Sequence, residues 1–205
     1  MPTSPIPSPP VMLNIRSTGS IEGRSDRYEV HLSRLGGVYS TAAEYTRLAD
    51  SVDGDPLAYW VDSHTYDDGP GSLTVGTSTL LPGLVGDEFA LTRGHIHAQS
   101  NRAELYYCLS GRGVMVMDSL DGGHEAIELT PGHAAHVPGH WVHRSVNVAT
   151  EPFVTLFSYN SDAGQDYEVI ANAGGMSQLI VTDGASGWKS IPNPRHRGYR
   201  RPKFD

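Results

Sequence analysis

The chain has 205 residues, and its 38% hydrophobic and 19% charged residues are typical of a single soluble domain. Its 15 Lys and Arg against 23 Asp and Glu give a net charge of −8, which disfavours binding to nucleic acid or to an anionic membrane. The one cysteine, Cys108, excludes an intrachain disulfide, and no apolar run has the length of a signal peptide or a transmembrane helix. We therefore expect a cytoplasmic protein that binds neither nucleic acid nor membranes.

The N-terminal region is predicted to be a flexible arm over residues 1–25, because its start is rich in proline and serine and has little to bury. The partly alternating stretch 27–35 that follows allows a strand. A short helix is predicted to begin near Thr41, since Thr41 and Glu44 have capping-box spacing ahead of apolar residues.

Short β-strands dominate the rest of the chain, where turn signals such as PGLVG, SGRG, DGG and PGH separate apolar runs. The predicted strands cover residues 57–61, 72–81, 88–92, 104–109, 114–117, 126–129, 134–137, 153–159 and 178–182. Strands this short at this spacing indicate an all-β sandwich or barrel. We expect one such domain over residues 26–192, followed by a basic tail over 193–205 that is solvated or contacts a second subunit.

A candidate metal site lies in the stretch TRGHIHAQSNRAELYYCLSGRG, residues 92–113. Alternate side chains of a strand share a face, so His95 and His97 point to the same side. A hairpin through AQSNRA would bring Glu104 on the next strand back beside them. Two imidazoles and a carboxylate suit Fe(II), Mn(II), Ni(II) or Zn(II), and this predicts one divalent transition metal per chain, with a fourth ligand from elsewhere in the fold.

The chain resembles the cupin superfamily in its two sequence motifs. The matching residues are, in order, His95, His97, Glu104, Gly111, Gly132, Pro138, His143 and Asn147. Cupins fold as a small jelly-roll barrel, the double-stranded β-helix, and hold a metal with two histidines and a glutamate of the first motif and one histidine of the second. The resemblance therefore implies this barrel, with His143 as the fourth ligand.

Longer stretches look like the cupin-type glucose-6-phosphate isomerases of archaea and some bacteria. Three of them, PGLVGDEFALTRGHIHAQSNRAELYYCLSGRG, VPGHWVHRSVNVATEPFVTLFSY and DAGQDY, carry the likeness, which covers roughly residues 55–195. His140 stands where the second cupin motif usually has glycine, and Gln165 stands where a family member commonly has histidine. The gap from His97 to Glu104 is longer than in the commonest cupins, which narrows the resemblance to this family.

The resemblance implies an aldose–ketose isomerase that interconverts glucose 6-phosphate and fructose 6-phosphate, with Fe(II) as the favoured ion and a homodimer as the assembly. Glu104 would be metal ligand and general base, moving a proton between C1 and C2, and Tyr106 would be a second catalytic residue near the sugar. A direct hydride shift stays open. The implied substrate-binding residues are Ser78, Thr92, Gly94, Tyr159 and Gln165.

Other functions are compatible with the same residues. Two histidines and a carboxylate with open positions also occur in Fe(II) oxygenases, although an oxygenase has no use for hydroxyl groups that converge on an anion. Gln165 carries no positive charge and does not titrate near neutrality, so an isomerase of another sugar phosphate is a further alternative. A third alternative is a sugar-phosphate binding protein without catalytic activity.

Overall fold

The computed structural model describes residues 9–23, 25–67, 69, 71–184 and 187–200 and contains mainly β-structure. The strands, in chain order, are β1 (Asn14–Ile15), β2 (Ile21–Glu22), β3 (Asp26–His31), β4 (Leu57–Thr65), β5 (Leu73–Leu80), β6 (Leu84–Val85), β7 (Glu88–Phe89), β8 (Glu104–Ser110), β9 (Gly113–Ser119), β10 (His124–Leu129), β11 (Ala134–Val137), β12 (Trp141–Asn147), β13 (Phe153–Asn160), β14 (Gln178–Thr182) and β15 (Trp188–Pro192). The helical segments are a 3-10 turn (Leu32–Leu35), α1 (Ala42–Ser51) and α2 (Glu168–Asn172). The predicted all-β class is confirmed.

Two antiparallel sheets enclose the interior. The larger has the strand order β11-β8-β13-β5-β4-β3, and the smaller has the order β10-β9-β12. Because the chain alternates between them from β8 to β13, the sheets form the predicted jelly-roll barrel of the cupin type. Buried apolar side chains such as Val114, Val142 and Phe157 come from both sheets and pack in one core. A further sheet, β15-β14-β7-β6, extends the fold.

Each of the nine predicted strands overlaps a strand of the structure, but β12, β15 and the two-residue strands β1, β2 and β6 were missed. The reason is clear for β12, whose sequence WVHRSVN shows no alternation of apolar and polar residues. All of its residues after Trp141 are buried, including the polar His143, Arg144, Ser145 and Asn147. A strand that buries polar side chains on both faces gives no periodic signal.

Helix α1 begins after Thr41 as predicted, but the expected capping box is wrong. The Thr41 side chain forms no capping hydrogen bond. Glu44 instead accepts a hydrogen bond from Arg47 on the exposed helix surface. Within the described ranges, no helix combines the length and the apolar character needed to cross a membrane.

Both ends of the described chain contact the barrel. In the predicted arm, β1 and β2 pair with each other, and the Ser17 carbonyl accepts a hydrogen bond from Ser110 Oγ at 2.9 Å. In the predicted tail, Arg197 N donates to Ala173 O at 2.8 Å, and the Tyr199 hydroxyl donates to Asp118. The predicted domain boundaries stay predictions, while these contacts show that segments expected to be mobile or solvated pack against the domain.

Candidate metal centre and adjoining cavity

The four predicted ligands come together in the barrel. His95 and His97 lie on an extended segment that pairs with β12, where the backbone N–H of His95 donates to His143 O at 3.0 Å and the reverse bond is 2.9 Å. Glu104 begins β8 in the opposite sheet. All four side chains are buried, and one ligand atom from each lies within 4.8 Å of the others. Strand pairing therefore brings together the three residues that strand geometry grouped and His143, which the resemblance implied.

The carboxylate of Glu104 is the centre of the group. Its Oε2 atom lies 3.0 Å from His143 Nε2, 3.2 Å from His97 Nε2 and 3.7 Å from His95 Nε2. Three ring nitrogens thus converge on a single carboxylate oxygen. This arrangement supplies three neutral nitrogen donors and an anionic oxygen donor when the histidines are unprotonated.

The far ring nitrogens of two histidines are held by backbone carbonyls. His97 Nδ1 lies 2.9 Å from Arg102 O, and His143 Nδ1 lies 3.2 Å from Trp141 O. Because a carbonyl only accepts hydrogen bonds, each Nδ1 must carry the hydrogen, and each Nε2 of the neutral ring presents its lone pair to the centre. This is the tautomer that a metal ligand requires.

Two of these Nε2 atoms, those of His95 and His97, are buried and have no hydrogen-bond partner among the described residues. An unsatisfied buried polar atom costs about 1–3 kcal/mol, and a lone pair that faces a carboxylate adds repulsion. A cation bound between the nitrogens and the carboxylate would remove both costs. The donor set therefore fits a divalent transition metal.

The charges in the centre are coupled. Burial alone would raise the pKa of Glu104, but the neighbouring imidazoles of His143, His95 and His97 outweigh it and hold the pKa well below its usual range. Burial, reinforced by His143, lowers the pKa of His95 to about 4. Burial also opposes protonation of His97, yet Glu104 raises its pKa above the ordinary value. A proton on His97 would therefore compete with a metal ion for the site.

A cavity adjoins the centre and contains every residue predicted to bind substrate. Besides His95, Glu104 and His143, its lining includes Ser78, Thr92, Gly94, Tyr106, Tyr159 and Gln165. Their roles stay predictions, but the structure brings all of them to one place. The cavity is thus lined by predicted metal ligands together with hydroxyl and amide groups.

Two tyrosines give this cavity hydroxyls that remain protonated. Burial and the negative charge of Glu104 raise the pKa of Tyr106 well above its usual range. The same two causes raise the pKa of Tyr159 to about 12. Both groups are therefore hydrogen-bond donors throughout the neutral pH range.

Gln165 lies on the loop that approaches the ligand segment. The loop is held by Ile96 and Asp166, whose backbone hydrogen bonds measure 3.1 Å and 2.8 Å. The side-chain oxygen of Gln165 accepts a hydrogen bond from the Tyr167 hydroxyl. Gln165 is thus oriented by a neighbour that also lines the cavity.

The sequence analysis missed Tyr28 and Tyr59, which line the cavity. For Tyr59 a signal was present, because it lies two residues before the buried Val61 on β4 and so shares its face. Tyr28 gave no signal of this kind. It reaches the cavity because β3 pairs with β4 and places Tyr28 opposite Val61.

A second buried polar group includes Arg144 of β12, which also lines the cavity, and was also missed. We call it the rear cluster, and it consists of Arg144, Asp118, Glu88, Ser177 and Tyr199. Asp118 accepts hydrogen bonds from the backbone N–H and the hydroxyl of Ser177, both at 2.7 Å, and from Tyr199. Burial lowers the pKa of Arg144 below its ordinary value, and the nearby charges of Glu88 and Asp118 offset this only in part. The Nη2 atom of Arg144 donates to the backbone carbonyl of Arg93 at 2.9 Å.

His140 takes a backbone conformation that suits glycine. Its φ is 68°, whereas all other residues with positive φ in the described ranges are glycines. Left-handed φ costs a residue with a Cβ atom about 1–2 kcal/mol. The departure from the usual motif glycine therefore strains the turn before β12.

Comparisons with known proteins were made for the whole chain. The family model described as "Glucose-6-phosphate isomerase (GPI)" matches residues 31–197. A glucose-6-phosphate isomerase of Sinorhizobium medicae is 39% identical over 180 residues, which are 88% of this chain and 84% of the relative. One of Thermococcus gammatolerans is 39% identical over 178 residues, 87% of this chain and 91% of the relative. The range of the family match contains all four predicted metal ligands and all the predicted substrate-binding residues.

Proposed function

The chain belongs to the glucose-6-phosphate isomerase family, in its cupin-type form, and is an aldose–ketose isomerase; from this we propose that it interconverts glucose 6-phosphate and fructose 6-phosphate. The observation that carries the proposal is the cavity whose lining combines the candidate metal ligands with several hydroxyl groups. An oxygenase has no use for these hydroxyl groups.

We propose that His95, His97, Glu104 and His143 hold one divalent transition metal, with Fe(II) favoured over Mn(II), Ni(II) and Zn(II). A metal bound there would act as a Lewis acid that polarises the sugar oxygens and orients the open-chain form. The backbone carbonyls of Arg102 and Trp141 fix the histidine rings for this purpose.

Glu104 is proposed as the general base. Its carboxylate stays ionised, because its histidine neighbours hold its pKa well below the usual range. It would take the proton from one of the carbons C1 and C2 and return it to the other. Tyr106, which lies beside Glu104 and keeps its proton, would donate a hydrogen bond to the reacting oxygens or to Glu104. Exchange of the transferred hydrogen with heavy water tests this step, since a direct hydride shift would incorporate no deuterium.

The phosphate is proposed to bind to the hydroxyl and amide groups that line the cavity, which we call the phosphate wall. Ser78, Thr92 and Tyr159 offer hydroxyl groups. Gly94 offers a backbone N–H at a point where its backbone lies close to His143 and Ile170. A Cβ atom at Gly94, whose φ is 73°, would lie 2.8 Å from His143 O and from Ile170. Hydroxyl and amide donors can hold an anion, and the buried Arg144 in the same lining adds a positive charge.

Gln165 is proposed to contact the substrate as a neutral group. It cannot act as an acid or a base, so proton transfer during ring opening would fall to other groups or to water. We expect the Gln165→His variant to turn over faster and to gain a titration near the ordinary histidine pKa in its pH–rate profile. An unchanged profile would remove this position from the reaction.

The proposal is tested by a coupled assay on metal-stripped protein. Fe(II), Mn(II), Ni(II) or Zn(II) is added back singly with fructose 6-phosphate, and formation of glucose 6-phosphate is followed. Turnover that depends on the metal would support the proposal and identify the working ion. Tight metal binding without turnover would favour another sugar phosphate, which a panel of aldose and ketose phosphates would identify, or a binding protein.

We also propose a cytoplasmic location and a homodimer. Both rest on the family, whose members act on a phosphorylated sugar. Light scattering of the purified protein tests the dimer, since a monomer would have the chain mass of 22.2 kDa.

A further inference from the structure

A groove lies outside the cavity and shares a wall with it. We call it the outer groove; its lining includes Tyr28, Arg34, Asp55, Tyr59, Arg93 and Tyr167. Three of these residues, Tyr28, Tyr59 and Tyr167, also line the cavity of the metal centre. A molecule that lies in the outer groove is therefore one layer of tyrosine side chains away from the catalytic cavity.

Arg93 links the outer groove to the proposed phosphate wall. Its neighbours Thr92 and Gly94 line the inner cavity, whereas Arg93 itself lines the outer groove. The backbone of Arg93 is held from behind, because its carbonyl accepts a hydrogen bond from Arg144 at 2.9 Å. The backbone of Arg93 is thus fixed beside Thr92 and Gly94, and its side chain extends from there into the outer groove.

The guanidinium of Arg93 is placed over the aromatic wall. Its Cζ atom lies 4.6 Å from the centre of the Tyr167 ring, a distance at which a cation is attracted to the ring face. No carboxylate of the described residues forms an ion pair with it. Stacking orients the planar group and leaves its N–H donors available for an anion.

The other charged groups of the outer groove are already engaged or are exposed to solvent. Asp55 accepts hydrogen bonds from the backbone N–H and the hydroxyl of Ser33. Glu29 lies 3.8 Å from His31 Nε2. Arg34 is exposed on the 3-10 turn. Among these groups, Arg93 is the cation next to the tyrosine wall.

A cation at the surface would favour the approach of a sugar phosphate to this protein. The chain carries a net charge of −8, so a phosphorylated sugar that approaches meets an unfavourable overall field. The hydroxyl and amide groups proposed to bind the phosphate are neutral, and Arg144, a cation in the lining of the same cavity, is buried. A single charge at the entrance can reverse the local field, because charge interactions at the surface extend over about a Debye length of 8–10 Å.

We propose that Arg93 forms an outer anion subsite, which attracts the phosphate group of the substrate at the tyrosine wall and increases its affinity for the cavity. This rests on the proposed function for the nature of the anion. The role is one of binding, so loss of the charge should act on KM and leave kcat nearly unchanged. The charge of Arg93 attracts the phosphate group, and the inner cavity binds both the phosphate and the sugar.

Four proteins test the proposal: the metal-loaded wild type, Arg93→Met, Arg93→Lys and Arg47→Met. Arg47 lies on α1 in an ion pair with Glu44, outside both cavities, so Arg47→Met makes the same change in net charge at a remote place. Binding of glucose 6-phosphate is measured by calorimetry at about 30 mM and about 300 mM salt. Steady-state kinetics gives kcat and KM for the same proteins.

Arg93→Met is expected to bind glucose 6-phosphate about five- to tenfold more weakly at low salt, with KM rising by a similar factor and kcat within about twofold. The difference from wild type should shrink at high salt, and Arg93→Lys should recover most of the affinity. Unchanged affinity in Arg93→Met, or an equal loss in Arg47→Met, would overturn the proposal. If wild type binds the sugar phosphate but shows no turnover, the proposed function fails, whereas the binding measurements still decide the role of Arg93.

Discussion

The two faces of β12 carry buried polar groups that differ in how far their hydrogen bonds are satisfied. On one face, His143 joins His95, His97 and Glu104, and the Nε2 atoms of His95 and His97 have no hydrogen-bond partner among the described residues. On the other face, Arg144 belongs to the rear cluster; its Nη2 donates to the Arg93 carbonyl, although its Nε also lacks a described partner. The Asp118 carboxylate of that cluster accepts hydrogen bonds from Ser177 and Tyr199, so the carboxylate is well satisfied whereas the imidazoles are not.

The difference separates a ligand site from a structural network. Buried polar groups persist when their hydrogen bonds are made within the protein, as for Asp118. Where orientation is fixed by backbone carbonyls and the functional atoms are still unpaired, as for His97, the missing partner must come from outside the chain. We expect substitutions on the two faces to affect different properties.

The largest effect is expected for His97→Ala on the metal face. Loss of this ligand should remove metal binding and lower kcat/KM by about 10³-fold or more, since Lewis-acid stabilisation contributes several kcal/mol. Metal content measured by plasma mass spectrometry and the coupled assay check both effects. A variant that keeps its metal and most of its activity would contradict the assignment of the centre.

A smaller loss is expected for Glu104→Gln, which keeps the shape and removes the negative charge. As the proposed base, Glu104 should contribute about 10²–10⁴ to the rate, so kcat falls by that factor. Metal affinity should fall by much less, because three histidines remain. Full activity in this variant would exclude Glu104 as the base, and equal losses of metal and rate would leave it only a ligand role.

On the other face, Asp118→Asn should change stability rather than chemistry. The amide nitrogen would meet donors where the carboxylate accepts three hydrogen bonds, at a cost of about 1–3 kcal/mol in the free energy of unfolding. Urea denaturation of the metal-free protein measures this cost. Metal affinity should match wild type. A loss of metal like that of His97→Ala would show that the two faces are not independent.

The smallest effect is expected at the turn that leads into β12. His140→Gly removes the left-handed strain of about 1–2 kcal/mol but adds about 0.5–1 kcal/mol of backbone entropy loss. The free energy of unfolding should therefore rise by roughly 0.5–1 kcal/mol. Activity should stay within about twofold. A drop in stability would mean that contacts of the His140 side chain outweigh the strain.

The sequence predicted some parts of this fold well because their signal is local. Turn residues and short apolar runs located nine strands, and the two-residue period placed His95 and His97 on one face. The predicted capping box failed because Glu44 pairs with Arg47, a contact that spacing alone does not exclude. β12 was missed because its polar residues are buried on both faces.

The amino-acid sequence by itself determined the all-β class, the set of candidate ligands and the family, since these depend on residue types in a fixed order. The tertiary structure decided which groups lack partners and which are satisfied. Tyr28 reaches the cavity only through the pairing of β3 with β4, and Arg144 reaches Asp118 and Glu88 only through packing of distant segments. Such contacts join residues far apart in the chain, and periodicity carries no information about them.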